Sequence, residues 1–314
     1  MRVWRAHELG EPADVLRLED DDAPTPADGT TVVTVEACGL NFPDVLQLRG
    51  QYQEKPPLPF TPGMEIAGTT ADGRKVMALF RGGLAEQVAV PDAALRARPD
   101  TVPADEATAL LVNYQTTHVA LHRRANLQPG ETVLVHAAAG GVGSSAVQLA
   151  KAHGCTVIGT AGGPEKVKVV EELGADHAID YTATDFVDAV KDLTDGRGAD
   201  VVYDPVGGDV FDRSRRCTAW EGRILVIGFT SGRIADAPTN HALLKNYSVV
   251  GVHWAMYNLR NPRLLAEVHD DLLRLHAEGR IRPLIGRRYD LDDAPGALDD
   301  IANRRTVGKV VVCP

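Results

Sequence analysis

The residues whose types and spacing are most able to do chemistry lie in the run Val133-Leu134-Val135-His136-Ala137-Ala138-Ala139-Gly140-Gly141-Val142-Gly143. Ala138, Gly140 and Gly143 stand at the spacing of a dinucleotide-phosphate turn, with Ala in the first slot and Gly141 and Val142 filling the turn. Small residues serve three purposes there. They let the chain turn tightly, let the backbone approach a pyrophosphate, and let the next helix aim its free N–H groups at negative oxygens. A glycine-rich string alone also reads as an ordinary tight turn, so the context decides. An apolar strand precedes this one, a helix from Ser144 to His153 with Val147 and Ala150 on one face follows, and a second strand begins at Thr156.

The loop after that second strand selects the cofactor. Where a free ribose 2′-hydroxyl is recognised, an acidic residue holds it. Gly159-Thr160-Ala161-Gly162-Gly163 contains no acid. With Thr160 and Gly162 the loop leaves room for a 2′-phosphate, and Lys166 follows. Lys166 reads equally as a phosphate partner or as a solvated first-turn residue. The expected cofactor is NADPH.

These residues need a parallel sheet to position them. After Pro129-Gly130, strand-like runs (Thr132 to His136, Thr156 to Thr160, His177 to Asp180, Asp200 to Tyr203, Arg223 to Ile227, Ser248 to His253) alternate with helical patterns such as Lys166 to Leu173. Six strands with right-handed crossovers make a complete doubly wound sheet. Residues 1 to about 115 instead show short runs such as Thr31 to Val35 and Glu86 to Val90 between Gly and Pro clusters, the pattern of a mostly antiparallel, loop-rich domain. Beyond Asn261-Pro262 a helix from Arg263 to Glu278 and a strand from Lys309 to Cys313 are expected to rejoin that first domain. The predicted fold is therefore α/β, with a Rossmann domain over 118–257 and a discontinuous substrate domain over 1–117 and 258–314.

Composition limits the partners. The formal charge of −10 over 314 residues argues against a nucleic-acid surface, which needs clustered Lys and Arg. Cys38, Cys155, Cys217 and Cys313 are too far apart in sequence for a zinc knuckle or redox dithiol, and read as reduced thiols of a cytoplasmic protein. The N-terminus lacks the apolar core of a signal peptide, and no apolar run approaches the roughly 20 residues that cross a bilayer.

Several strings, in order, resemble the zinc-independent medium-chain dehydrogenase/reductases, close to the NADPH:quinone oxidoreductases (zeta-crystallin-like). They are Cys38-Gly39-Leu40-Asn41-Phe42-Pro43-Asp44, Pro56-Pro57-Leu58-Pro59-Phe60, Pro62-Gly63-Met64-Glu65, Asn113-Tyr114-Gln115-Thr116, the glycine turn, Asp204-Pro205-Val206-Gly207-Gly208 and Leu244-Lys245-Asn246. The resemblance implies a GroES-like first domain. It also implies cofactor contacts from Asn41, Thr116 and Val206, from Tyr181 after the third strand, from Gly228 and Phe229 after the fifth, from His253 and Trp254 at the end of the sixth, and from Arg304 near the C-terminus. Phe229 and Trp254 read equally as core aromatics.

Zinc-dependent relatives bind their catalytic metal through a Cys and through the His of a Gly-His-Glu. This chain has Asn41 and Met64 at those places, and neither an amide nor a thioether replaces thiolate and imidazole donors. No zinc is expected. Without a Lewis acid to hold an alkoxide, hydride delivery to a quinone or another activated alkene, whose conjugated system spreads the charge, is the natural chemistry. It is expected to occur in a cleft between the domains. Asn41, Asp44 and Tyr52 are the candidates to orient substrate or donate a proton, although Asp44 reads also as the cap of a helix through Val45 to Leu48 and Tyr52 as an amphipathic surface tyrosine. Alternatives are an enone, enal or enoyl-thioester reductase, or a nucleotide-binding sensor without turnover. The strand near Tyr247 to His253 is expected at a sheet edge, where a second copy would pair to form a homodimer.

Overall fold

A computed structural model describes residues 1–314. In chain order the elements are β1 (Arg2–Ala6), α1 (Pro12–Val15), β2 (Leu16–Asp20), β3 (Thr30–Leu40), α2 (Phe42–Leu48), β4 (Glu65–Thr70), β5 (Lys75–Leu79), β6 (Gln87–Pro91), β7 (Leu95–Ala97) and α3 (Ala104–His118). Next come β8 (Thr132–Val135), α4 (Gly141–Ala152), β9 (Thr156–Ala161), α5 (Pro164–Glu172), β10 (His177–Asp180), α6 (Phe186–Leu193), β11 (Ala199–Asp204), α7 (Gly208–Ser214), β12 (Thr218–Val226), α8 (Thr239–Lys245) and β13 (Ser248–Gly251). The chain ends with α9 (Tyr257–Arg260), α10 (Pro262–Ala277), β14 (Ile285–Asp290), α11 (Ala294–Ala302) and β15 (Lys309–Cys313). No helix is long and apolar enough to cross a membrane.

Two compact units divide the chain: residues 1–112 with 283–314, and residues 113–282. In the first, the strands run in the order β14-β15-β3-β4-β5-β7, with β6 also on β3, and β1 pairs with β2 in a separate ribbon. Every pairing is antiparallel except β14 with β15. The core is apolar and fully buried, around Val33, Val45, Leu48, Leu84 and Val310. The second unit holds a six-stranded parallel sheet in the order β10-β9-β8-β11-β12-β13. That order reverses at β8, so ligand binding is expected beyond the carboxyl end of β8.

Two boundaries differ from the sequence reading. The divides fall at 112/113 and 282/283, not at 117/118 and 257/258. The first lies within α3, a 15-residue helix where a loop-rich β region was expected. The second moves because α10 packs within the second unit: it buries Leu265, Val268, His269, Leu272 and Leu275, and its Asp271 Oδ2 lies 2.9 Å from Nε2 of His118. An amphipathic helix follows whichever surface completes its apolar face, which helical spacing alone does not identify. The residues flagged as a sixth strand end early, at Gly251, and β13 does occupy the sheet edge.

Candidate functional site: a phosphate turn and a buried polar network

The glycine turn lies at the end of β8, beside the point where the strand order reverses. Ala137 takes a left-handed φ of +49°, Gly140 caps the helix, and α4 begins at Gly141, three residues earlier than the sequence suggested. Gly140 N–H donates to Ala137 O at 2.9 Å. The N–H groups of Gly141, Val142 and Gly143 form the first turn of α4 and so have no acceptor inside the helix. At Gly143 a methyl group would stand 2.1 Å from Ala137 O and 2.8 Å from Ala138 Cα, so only glycine allows helix and turn to approach this closely. The turn thus aims three backbone donors and a helix dipole at one place, an arrangement that fits a pyrophosphate.

The second loop packs against the first. Ala138 N–H donates to Thr160 O at 3.0 Å, and Gly159 lies against Val170 and Ala138 with no space for a side chain. Tyr181 is 54% exposed, and its ring lies over Gly162, where a Cβ would come 2.7 Å from the phenol oxygen. Lys166 stands half-buried in the first turn of α5. Gly162 and Tyr181 are therefore in contact, and Lys166 follows the same loop in the first turn of α5. Thr160 does not join them through its side chain, which is 2% exposed and bonded to His136 Nδ1 at 3.0 Å; only its backbone faces the turn. An acid does reach the loop, from β10 rather than β9. Asp180 Oδ1 accepts from Gly163 N–H at 3.0 Å, from Thr182 N–H at 2.9 Å and from the Thr182 hydroxyl at 2.6 Å. These donors saturate that oxygen and hold the carboxyl below its usual range.

The remaining cofactor candidates also belong to the second unit, except Asn41 and Arg304. Thr116 is half-buried on α3. Val206 N–H donates to Asp204 Oδ1 at 2.8 Å, which shapes the turn after β11. Phe229 is 41% exposed and its ring covers Gly207, so it is not a core aromatic. Gly228 beside it is half-buried and His253 is exposed. Trp254 is buried, and its indole N–H has no acceptor. Arg304 lies in the first unit, exposed, with a left-handed φ of +58°.

In the first unit, Asn41 is the N-cap of α2, and its backbone N–H donates to Asp44 Oδ2 at 2.8 Å. Asp44 is the third residue of the helix, and its side chain caps the first turn in a capping box with Asn41. It is buried, and its other oxygen accepts from Gly63 N–H at 3.3 Å. Burial raises its pKa to about 6 against the pull of these hydrogen bonds. Tyr52 is half-buried, and burial, then Glu54 and Asp44, push its phenol upward, so it keeps its proton at neutral pH.

Both ends of the Asn41 amide are engaged. Nδ2 donates to Glu65 Oε2 at 2.7 Å, and Oδ1 accepts from Lys309 Nζ at 2.8 Å. Lys309 is paired with Glu65, and the two are 2% and 0% exposed. Glu65 Oε1 also accepts from Val112 N–H at 2.7 Å. Met64 Sδ accepts from Gln47 Nε2 at 3.6 Å. This donor set does not fit a catalytic zinc: the amide is spent, the thioether is a poor ligand, and the one carboxylate is neutralised by an ammonium. No group of three or more His, Cys, Asp or Glu side chains is placed to hold a metal ion.

Sequence reasoning missed Glu65, Lys309 and His136 as parts of the sites. A lysine opening the apolar strand Lys-Val-Val-Val-Cys was a signal that a buried acid must face it. No comparable signal marked His136.

Known proteins resemble this chain along its whole length. Residues 27–100 match the family model described as alcohol dehydrogenase GroES-like domain, and residues 141–270 match that described as zinc-binding dehydrogenase. A quinone oxidoreductase-like protein 2 homolog from Nematostella vectensis is 42% identical over 99% of this chain and 88% of its own length. The quinone oxidoreductase of Thermus thermophilus, whose structure includes a complex with NADPH, superposes with a TM-score of 0.87 at 36% identity over 100% of both chains. The Escherichia coli quinone oxidoreductase complexed with NADPH gives 0.90 at 29% identity, again over 100% of both.

Proposed function

The chain belongs to the quinone oxidoreductase family of the medium-chain dehydrogenase/reductases, and from that premise we propose that it uses NADPH to reduce quinones without zinc. The observation that carries the reading is the glycine turn at the head of α4 next to a β9 loop that holds Gly162 and no acid of its own from Gly159 to Gly163, with Lys166 in the first turn of α5. In this reading the N–H groups of Gly141, Val142 and Gly143 hold the pyrophosphate. Gly162, Lys166 and Tyr181 receive the 2′-phosphate, and Asn41, Thr116, Val206, Gly228, Phe229, His253, Trp254 and Arg304 complete the cofactor contacts. The bound dinucleotide supplies the hydride.

The amide of Asn41 is held by Glu65 and Lys309, so its part is to orient rather than to react. Asp44 keeps α2 in place through Asn41 N–H and Gly63 N–H. Tyr52, protonated at neutral pH, hydrogen-bonds the acceptor oxygen or gives it a proton. A quinone suits such a site because its conjugated ring spreads the incoming charge and needs no Lewis acid. The exposed edge strand β13, with Val249 39% exposed, is the surface through which two copies would pair as a homodimer, and light scattering that finds only monomer would count against it. The four free cysteines are in keeping with a cytoplasmic protein.

The decisive experiment follows NADPH and NADH absorbance with 1,4-benzoquinone, 9,10-phenanthrenequinone and 3-penten-2-one. Faster turnover of quinones with NADPH is expected. Equal use of NADH refutes the 2′-phosphate assignment. Turnover of the enone alone moves the acceptor class to activated alkenes, and binding without turnover makes the protein a sensor.

A further inference from the structure

His136 is the first residue after β8, at the entry to the glycine turn, and it is 2% exposed. Its ring meets Phe186 edge-on at 4.9 Å, and its backbone N–H donates to Tyr203 O at 3.1 Å. Nδ1 lies 3.0 Å from Thr160 Oγ1, and Nε2 lies 2.7 Å from Ser214 Oγ. The hydroxyl of Ser214 donates its single proton to Val210 O at 2.7 Å. Ser214 must therefore accept from Nε2–H, which leaves Nδ1 as the acceptor for the Thr160 hydroxyl. Burial pushes the imidazole down to about 3, so the ring is neutral and its tautomer is set by these two partners.

The consequence falls on the β9 loop. Thr160 is fixed twice, through its side chain to His136 and through its carbonyl to Ala138 N–H. Its hydroxyl proton is spent inside the protein. From Thr160 the chain runs to Gly162 under the Tyr181 ring, to Gly163, whose N–H donates to Asp180, and on to Lys166. The loop thus hangs between a near anchor at His136 and a far anchor at Asp180. A phenyl ring would fill the same space without the cost of desolvating two ring nitrogens, so the polar ring serves its partners.

We propose that His136 is a positioning residue for cofactor selectivity: by holding Thr160 it sets the spacing between the phosphate turn and the loop that receives the 2′-phosphate. The proposal rests on the reading of NADPH as cofactor. Ala161 O, which accepts from Tyr181 N–H at 3.1 Å, passes the same constraint to the residue that covers Gly162.

Two substitutions separate this role from simple core packing. In His136→Asn the side-chain oxygen stands near the place of Nδ1 and keeps the Thr160 contact; in His136→Gln the amide stands near the place of Nε2 and keeps only Ser214. Both remove ring volume and should lower the melting temperature alike. Titration of fluorescence with NADPH and with NADH gives the readout. His136→Asn should bind NADPH within about threefold of the unsubstituted protein, and His136→Gln about tenfold more weakly. NADH affinity should change little in either. Thr160→Val, which keeps the shape and removes the hydroxyl, should reproduce the selective loss if His136→Gln does not fold. Equal weakening of both dinucleotides by both variants, or a NADPH preference that survives His136→Gln and Thr160→Val, overturns the proposal. An unsubstituted protein that binds both dinucleotides equally removes the cofactor reading and the proposal with it.

Discussion

Replacing Gly143 by Ala puts the phosphate turn to its sharpest test. The added methyl would lie 2.1 Å from Ala137 O, 2.8 Å from Ala137 C and 2.8 Å from Ala138 Cα. All three are backbone atoms, so no rotamer relieves the clash, and helix and turn must part by roughly 1 Å. Overpacking of this kind costs about 1–3 kcal/mol. Helix propensity works in the opposite direction, favouring Ala over Gly by about 1 kcal/mol, so the sign of the stability change reports whether the clash is real. Function should suffer more. A hydrogen bond from a backbone N–H to a charged phosphate is worth about 1.5–3 kcal/mol, and stretching one such bond beyond reach weakens binding about ten- to a hundredfold. Gly140→Ala is the control, because there the methyl meets one atom, Ala137 O, at 3.2 Å. We expect NADPH titration and thermal unfolding to rank Gly143→Ala well below Gly140→Ala in stability, with at least a tenfold rise in Kd for Gly143→Ala. A Gly143→Ala protein that is as stable as the original and binds NADPH as tightly would refute the close-approach argument.

Further expectations follow from the same geometry. Lys309→Met strands the fully buried Glu65 and should cost about 3–5 kcal/mol, most of it restored by adding Glu65→Gln, as read by hydrogen exchange of β3 and β15 in denaturant. In the second unit, burial and then the neighbouring His118 and His153 lower His122 to about 4, with Asp271 acting in the opposite direction. Its folded pKa lies below the unfolded value of about 6.5, so the unfolded chain binds the extra proton. Stability is then complete above pH 6.5 and falls by about 2–3 kcal/mol as pH drops towards 4, and His122→Gln should flatten that slope in melting curves. Lys166→Ala should raise the Kd for NADPH about tenfold and leave that for NADH unchanged; equal affinities before and after would mean that another group holds the phosphate.

Much of the architecture was legible because it is written in local spacing. Strands and helices in the second unit alternate with the periods of their backbones, and β8, β9 and β10 begin where the apolar runs begin. The glycines of the turn were legible for a similar reason: a residue without a side chain announces a close approach wherever it occurs, and at Gly143 the approach is to the adjoining turn itself. Asn41 and Met64 stand where the family resemblance puts two zinc ligands, and an amide and a thioether are poor donors to that metal.

Other features join residues distant in sequence, and local patterns are silent about those. Lys309 and Glu65 are 244 residues apart and meet because β15 and β4 both lie beside β3. That pair bears on Asn41, a candidate in the sequence to orient substrate or donate a proton, because it binds both ends of the amide. Thr160 read as a cofactor ligand because it sits in the right loop, yet a strand's residues alternate between faces, and the one that selects the side towards His136 is the register of β9 on β8. The acid missing from the end of β9 arrives from the end of β10, its neighbour in the parallel sheet. Helix α10 joined the second unit because its apolar stripe found a partner there. The sequence by itself determined which strands and helices alternate in the second unit and where the glycine turn lies, since each depends on neighbours along the chain. Which side chains are spent on one another, and which remain for a ligand, only the tertiary structure decided, because desolvated charges and hydroxyl protons are committed by whatever packs against them from elsewhere in the chain.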